Sequence, residues 1–162
     1  AAQGHGVLGV ELSRVAVEQF FAEHGLAAEL EESRFGTHYR AGGIELIVGD
    51  AFGLDADLLR DCSAVFDRAA LIALPPELRV RYARELYARL PTNCRGLLVT
   101  LEYPQEEREG PPFSVPGDEV HSLYAQDWNV GLLERRPIPS DHPGYVAGVS
   151  RLDTAVYALH RR

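Results

Sequence analysis

The sequence predicts an α/β fold: a mainly parallel sheet with helices on both faces, closed at its end by an antiparallel hairpin. Three observations predict it. Short apolar runs of strand length alternate with segments of helical period, and strands separated by helices feed right-handed crossovers into a parallel sheet. Residues 96–101 are an apolar run but for Thr100, as expected of a central strand buried on both faces. The last two strand runs are joined by a loop without helical pattern, so they pair antiparallel.

In chain order, the first run is Val7–Glu11, a short apolar strand ending in a carboxylate. Ser13 caps a helix that reaches about His24 and stops at Gly25, with Val17, Phe20, Phe21 and His24 on one face. A polar stretch follows, with a small hairpin or loop around residues 37–40. Ile44–Val48 is the next strand, leading into Gly49 and Asp50, and residues 64–66 form another that ends at Asp67 and Arg68. Pro75 and Pro76 open a helix with Val80, Ala83, Tyr87 and Leu90 on its buried face, and Pro91 ends it. Beyond the apolar run, residues 102–116 are rich in charge, Gly and Pro. A short helix over 118–124 and strands over 129–133 and 155–160 complete the pattern.

At 162 residues the chain fits one domain with enough length for a real core. No apolar run approaches the roughly 18–20 residues of a membrane span, and no signal peptide is recognisable. There is no Met at any position, so the chain is expected to be a processed or trimmed part of a longer product. A net charge of −8 argues against a polyanion binder. Arg79, Arg81, Arg84 and Arg89 alternate with acids on one helix and read as a solvated face. The two cysteines, Cys62 and Cys94, read as free thiols, and the six scattered histidines give no metal spacing. P-loop, GxGxxG and GxSxG motifs are absent.

Ligands of open α/β sheets bind outside the carboxyl ends of the strands. Glu11, Asp50, Asp67 and Glu102 each stand at such an end, which reads either as a site or as local capping. An acid in the position of Glu11 suits the hydroxyls of a ribose. Arg68 can fork onto a carboxylate or an anionic acceptor, or pair locally with Asp67 or Asp50.

Several segments resemble the thiopurine S-methyltransferase family, in particular its bacterial branch. They are residues 6–13, the string Asp67-Arg68-Ala69-Ala70-Leu71-Ile72-Ala73-Leu74-Pro75, residues 98–103, and the string Glu109-Gly110-Pro111-Pro112-Phe113-Ser114-Val115-Pro116. The resemblance implies a Rossmann-like class I methyltransferase fold with S-adenosylmethionine as cofactor. It implies methyl transfer to the sulfur of a small thiol, such as a thiopurine or an aromatic thiol, or to selenium or tellurium. By the family's pattern Glu11 holds the ribose, and Asp50 and Ala51 border the adenine. Arg68 lies near the cofactor's methionine end and the acceptor, where a cation favours the thiolate. Pro112 and Phe113 help wall the acceptor site. The family's first strand and cofactor loop have no counterpart, and the chain is expected to lack them. The resulting expectation is a single domain over 1–162, cytoplasmic and monomeric, with no metal, membrane or nucleic-acid partner. The alternative is a degenerate methyltransferase-like binding module without catalysis.

Overall fold

A computed structural model describes residues 3–162, and Ala1 and Ala2 lie outside the described residues. The backbone divides into two compact units, Ala1–Asp55 and Ala56–Arg162.

In the first unit, β1 (Val7–Glu11), β2 (Glu29–Ser33), β3 (Gly36–Ala41) and β4 (Ile44–Val48) form a four-stranded sheet in the order β1-β4-β3-β2. Helix α1 (Arg14–Glu23) follows β1 directly. Ser13 starts it, its hydroxyl accepting the Ala16 N–H at 3.3 Å. Gly25, at φ +63°, ends it: the Leu26 N–H reaches back to Phe21 and the Gly25 N–H to Ala22, as in a Schellman motif. Val17 and Phe21 bury one stripe of the helix against Tyr39 of β3. Arg14 adds bonds to the Tyr39 hydroxyl (2.7 Å) and to Thr37 (2.9 Å). His24, predicted on the buried face, is exposed.

The polar stretch resolves into the β2–β3 hairpin. Its turn is at Arg34 and Phe35, not at residues 37–40, which are strand. The Ser33 hydroxyl accepts the Phe35 N–H at the turn and lies 2.6 Å from His38 Nε2. His38 Nδ1 is 2.5 Å from Glu45 of β4. Three strands are thereby locked by one buried imidazole.

In the second unit, β5 (Ala64–Arg68), β6 (Arg95–Glu102), β7 (Trp128–Pro137) and β8 (Asp153–Arg161) form a sheet in the order β5-β6-β8-β7. Its helices are α2 (Ala56–Leu59), α3 (Ala70–Ala73), α4 (Pro76–Arg81) and α5 (Gly117–Tyr124). The antiparallel closing hairpin is β7–β8, as predicted.

The prediction of one mainly parallel sheet is corrected. Among the described residues there are two mixed sheets, each with one parallel pair, β1–β4 or β5–β6, and two antiparallel pairs. In the first, short turns at residues 34–35 and 42–43 join β2, β3 and β4, far less chain than a parallel crossover needs. Nor is β6 buried on both faces. Leu98 and Thr100 are fully buried, whereas Leu97 is 39% exposed beside Phe66 of β5.

The helix opened by the two prolines also departs from a single period. After α4 it widens into a π turn over Tyr82–Leu86 and tightens into a 3-10 turn over Tyr87–Arg89. The extra residue in the π turn shifts the phase of the stripe. Val80 therefore faces outward, while Ala83, Tyr87 and Leu90 stay buried. Arg79, read as part of a solvated face, is only 3% exposed. Among the described residues, no helix is long and apolar enough to cross a membrane.

Candidate active site

Each unit carries part of the predicted set. In the first, β1 and β4 run parallel with Glu11 opposite Val48, and the Gly49 N–H donates to the Glu11 carbonyl at 3.1 Å. Glu11 and Asp50 therefore leave neighbouring strands at their carboxyl ends. The exit of β4 depends on glycine: a Cβ at Gly49 would lie 2.1 Å from the Phe35 carbonyl oxygen. Glu11 uses one carboxylate oxygen to accept the Ser13 N–H at 2.8 Å. Asp50 uses one to accept the Phe52 N–H at 2.9 Å, which opens a 3-10 turn at Ala51. Both side chains cap locally and are exposed. The second oxygen of each has no protein partner among the described residues. Two oriented acceptors at adjacent strand ends can take hydrogen bonds from ribose hydroxyls and from an amino group on the base, so the residues present fit a nucleoside such as that of S-adenosylmethionine.

In the second unit the other two strand-end acids are committed internally. Asp67 is 1% exposed and accepts from the Leu71 N–H (3.2 Å) and the Tyr87 hydroxyl (3.3 Å), with Tyr82 also bonded to it. The π turn brings both tyrosines to it. Glu102 is forked by Arg135, at 2.9 and 3.0 Å, and takes the Tyr157 hydroxyl at 3.2 Å. Asp67 is thereby closed to a ligand, whereas Glu102, although paired, lines the cavity that Phe113 also lines.

Burial raises the Asp67 pKa above its ordinary 3.8, and the bonds from Leu71 and the tyrosines offset that only in part. A raised folded value means that the fold favours the neutral acid. The stability it contributes is complete below 3.8 and is lost as pH rises through the folded value. Asp67→Asn is expected to flatten the fall in stability with pH over a window that opens near 3.8. Urea midpoints measured across that window check this, and equal slopes in both proteins would refute it.

Strand alternation turns Arg68 away from Asp67, so the local pair between them does not form. Arg68 is exposed and no partner for its guanidinium is found among the described residues. Ala69 follows at φ +88°, a strained backbone for a residue with a Cβ, and swings the chain into α3.

The predicted acceptor wall is tied down along its length. The Tyr103 hydroxyl bonds the Pro112 carbonyl (2.5 Å), and the Phe113 N–H bonds Ile72 of α3 (2.7 Å). Ser114 is held by Gln105 (2.9 Å) and by the Tyr103 N–H (3.0 Å), and the Val115 N–H bonds Leu101 (2.8 Å). Gly110, at φ +90°, is required because a Cβ there would sit 2.6 Å from the Phe113 ring. Phe113 lines a cavity of about 720 Å³ together with Tyr103, Pro104, Arg79 and Glu119. That volume suits a small organic ligand. Pro112 and Arg68 are not among its lining residues. Arg79 was missed in the sequence, where its signal was a place four residues before Ala83 and eight before Tyr87, on the apolar stripe. Cys62 and Cys94 are free, and burial raises both thiols, which suits neither to nucleophilic work.

Solved structures define the class. The fold matches a SAM-dependent methyltransferase from Anabaena variabilis with a TM-score of 0.64 at 14% identity, over 96% of this chain and 68% of that one. The chain has the class I, Rossmann-like fold of the S-adenosylmethionine-dependent methyltransferases.

The profile of the family described as Thiopurine S-methyltransferase (TPMT) matches residues 1–162. The thiopurine S-methyltransferase of Nitrosomonas eutropha is 60% identical over 162 residues, covering 99% of this chain and 74% of the relative. That of Xanthomonas axonopodis pv. citri is 58% identical over 163 residues, covering 100% and 75%. The chain belongs to the thiopurine S-methyltransferase family: it is an S-adenosylmethionine-dependent S-methyltransferase, with S-adenosylmethionine as its cofactor.

Proposed function

We propose that the acceptor is a small thiol, a thiopurine or an aromatic thiol, with selenium or tellurium compounds as further acceptors. The observation that carries this reading is the cavity of about 720 Å³ at Phe113, where Tyr103, Pro104 and Phe113 give an aromatic and proline surface among charged side chains that include Glu102 and Arg151. Glu11 accepts the ribose hydroxyls, and Asp50 and Ala51 border the adenine. Arg68, outside the cavity lining, serves the methionine end of the cofactor and the acceptor sulfur; Phe113 walls the acceptor, and Pro112 holds that wall through its carbonyl bond to Tyr103.

Bound S-adenosylmethionine supplies a methyl group on a sulfonium, already attached to a good leaving group. What remains for the chain is alignment and exclusion of water. An aromatic thiol ionises readily near neutral pH, so no strong general base is needed. The Arg68 guanidinium, which has no carboxylate paired to it among the described residues, favours the thiolate form. The same reading has the protein acting as one methyltransferase-like domain, monomeric and cytoplasmic, without metal, membrane or nucleic-acid partners; the net charge of −8 supports the last of these.

The test is turnover. The full-length gene product, given S-adenosylmethionine and a neutral aromatic thiol, is expected to form S-methyl product and S-adenosylhomocysteine in equal amounts, followed by mass spectrometry. Cofactor binding without turnover of any thiol, selenium or tellurium acceptor would overturn the proposal.

A further inference from the structure

Arg79 of α4 is a buried charge beside the acceptor cavity. Its Nη1 donates to the Ser114 carbonyl at 3.0 Å. Its Nε lies 3.1 Å from Glu119 Oε1 of α5, without the alignment of a hydrogen bond. Its guanidinium carbon is 5.7 Å from the centre of the Phe113 ring, within cation–π range. Arg79, Phe113, Ser114 and Glu119 all line the same cavity. One guanidinium thus joins α4, the wall segment and α5.

We propose that Arg79 is a positioning residue for the acceptor: it sets the angle of the Phe113 ring and so the width of the cavity. The inference rests on the reading of this cavity as the acceptor's. The backbone bonds described above fix residues 112–115 in place and Gly110 packs against the Phe113 ring, but none of these bonds sets the angle of the ring. Arg79 is the charge that lies against that ring. Stability alone does not account for it, because an apolar side chain of similar volume often replaces a buried ion pair at no cost. Lysine does not reproduce the arrangement: its point charge lacks the planar fork that bonds Ser114 while lying against the ring.

The test compares Arg79→Met and Arg79→Lys with wild type in the full-length gene product. Two acceptors without a charged substituent are used, thiophenol and the bicyclic 2-naphthalenethiol. The readouts are acceptor KM and kcat, the Kd of S-adenosylhomocysteine by calorimetry, and the melting temperature. Arg79→Met is expected to raise the thiophenol KM about tenfold, through the Phe113 ring that it no longer holds. The KM ratio between the two acceptors should shrink, while the Kd of S-adenosylhomocysteine stays within about twofold. Arg79→Lys should recover less than half of the loss. An unchanged KM ratio in folded Arg79→Met overturns the proposal. So does a KM that rises only in step with the Kd and a falling melting temperature, the mark of general loosening. If Arg79→Met does not fold, Arg79→Lys carries the same comparison, with a shifted KM ratio expected and an unchanged one contradicting it. A wild-type enzyme that binds S-adenosylhomocysteine but turns over neither thiol removes the underlying reading, and this inference with it.

Discussion

Glu11→Ala is expected to weaken S-adenosylmethionine binding by ten- to about a hundredfold while leaving the fold intact. A hydrogen bond to a charged group contributes about 1.5–3 kcal/mol, and about 1.4 kcal/mol is tenfold in affinity. The carboxylate stands at the exit of β1, held by the Ser13 N–H through one oxygen, while the other has no protein partner among the described residues. Losing it costs the protein little, because Ser13 is exposed and water replaces the lost acceptor. Glu11→Gln keeps an acceptor for Ser13 but removes the charge, so its affinity should fall between the two. Calorimetric titration of all three proteins checks this. Wild-type affinity in Glu11→Ala would mean that the ribose is held elsewhere.

The second large effect is expected at Arg68. Arg68→Met should lower turnover about a hundredfold at pH values below the acceptor's own pKa, the scale of removing one preorganised charge stabiliser. On the role proposed for the guanidinium, the acidic limb of the wild-type rate profile is expected at lower pH than the acceptor's free pKa would place it. In Arg68→Met that limb moves to higher pH, and the defect shrinks once the acceptor is fully ionised in solution. Arg68→Lys should retain part of the shift. A pH–rate profile with one aromatic thiol reads both effects. Full turnover and full cofactor affinity in Arg68→Lys would argue strongly that the planar fork has no role.

Much of the local structure is legible in the sequence because its signals are local. Ser13 and Gly25 bracket α1, Pro75 and Pro76 open α4, and apolar runs mark β1, β4, β5 and β6 within a residue or two. What escapes depends on partners distant in the chain. The hairpin turn falls at Arg34 and Phe35, which carry no turn signature; the glycines on either side of the close approach, Gly36 and Gly49, are what allow it. Four acids at strand ends look equivalent in sequence. Two of them are taken inward by residues far along the chain, Asp67 by Tyr82 and Tyr87 and Glu102 by Arg135 and Tyr157. Glu11 and Asp50 stay exposed, capping their own turns while a second oxygen remains. Arg79 shows the same limit: helical charge alternation marks a solvated face, and only the π turn, Phe113 and Ser114 reveal where that side chain goes.

The atom that receives the methyl group tests the central claim most directly. The full-length gene product would be incubated with S-adenosylmethionine labelled with carbon-13 in its methyl group and with 4-mercaptophenol, which carries a thiol and a hydroxyl on one ring. Carbon NMR of the product then shows which atom bears the label. The account predicts label on sulfur alone. Label on oxygen, or cofactor binding with no transfer, would contradict it.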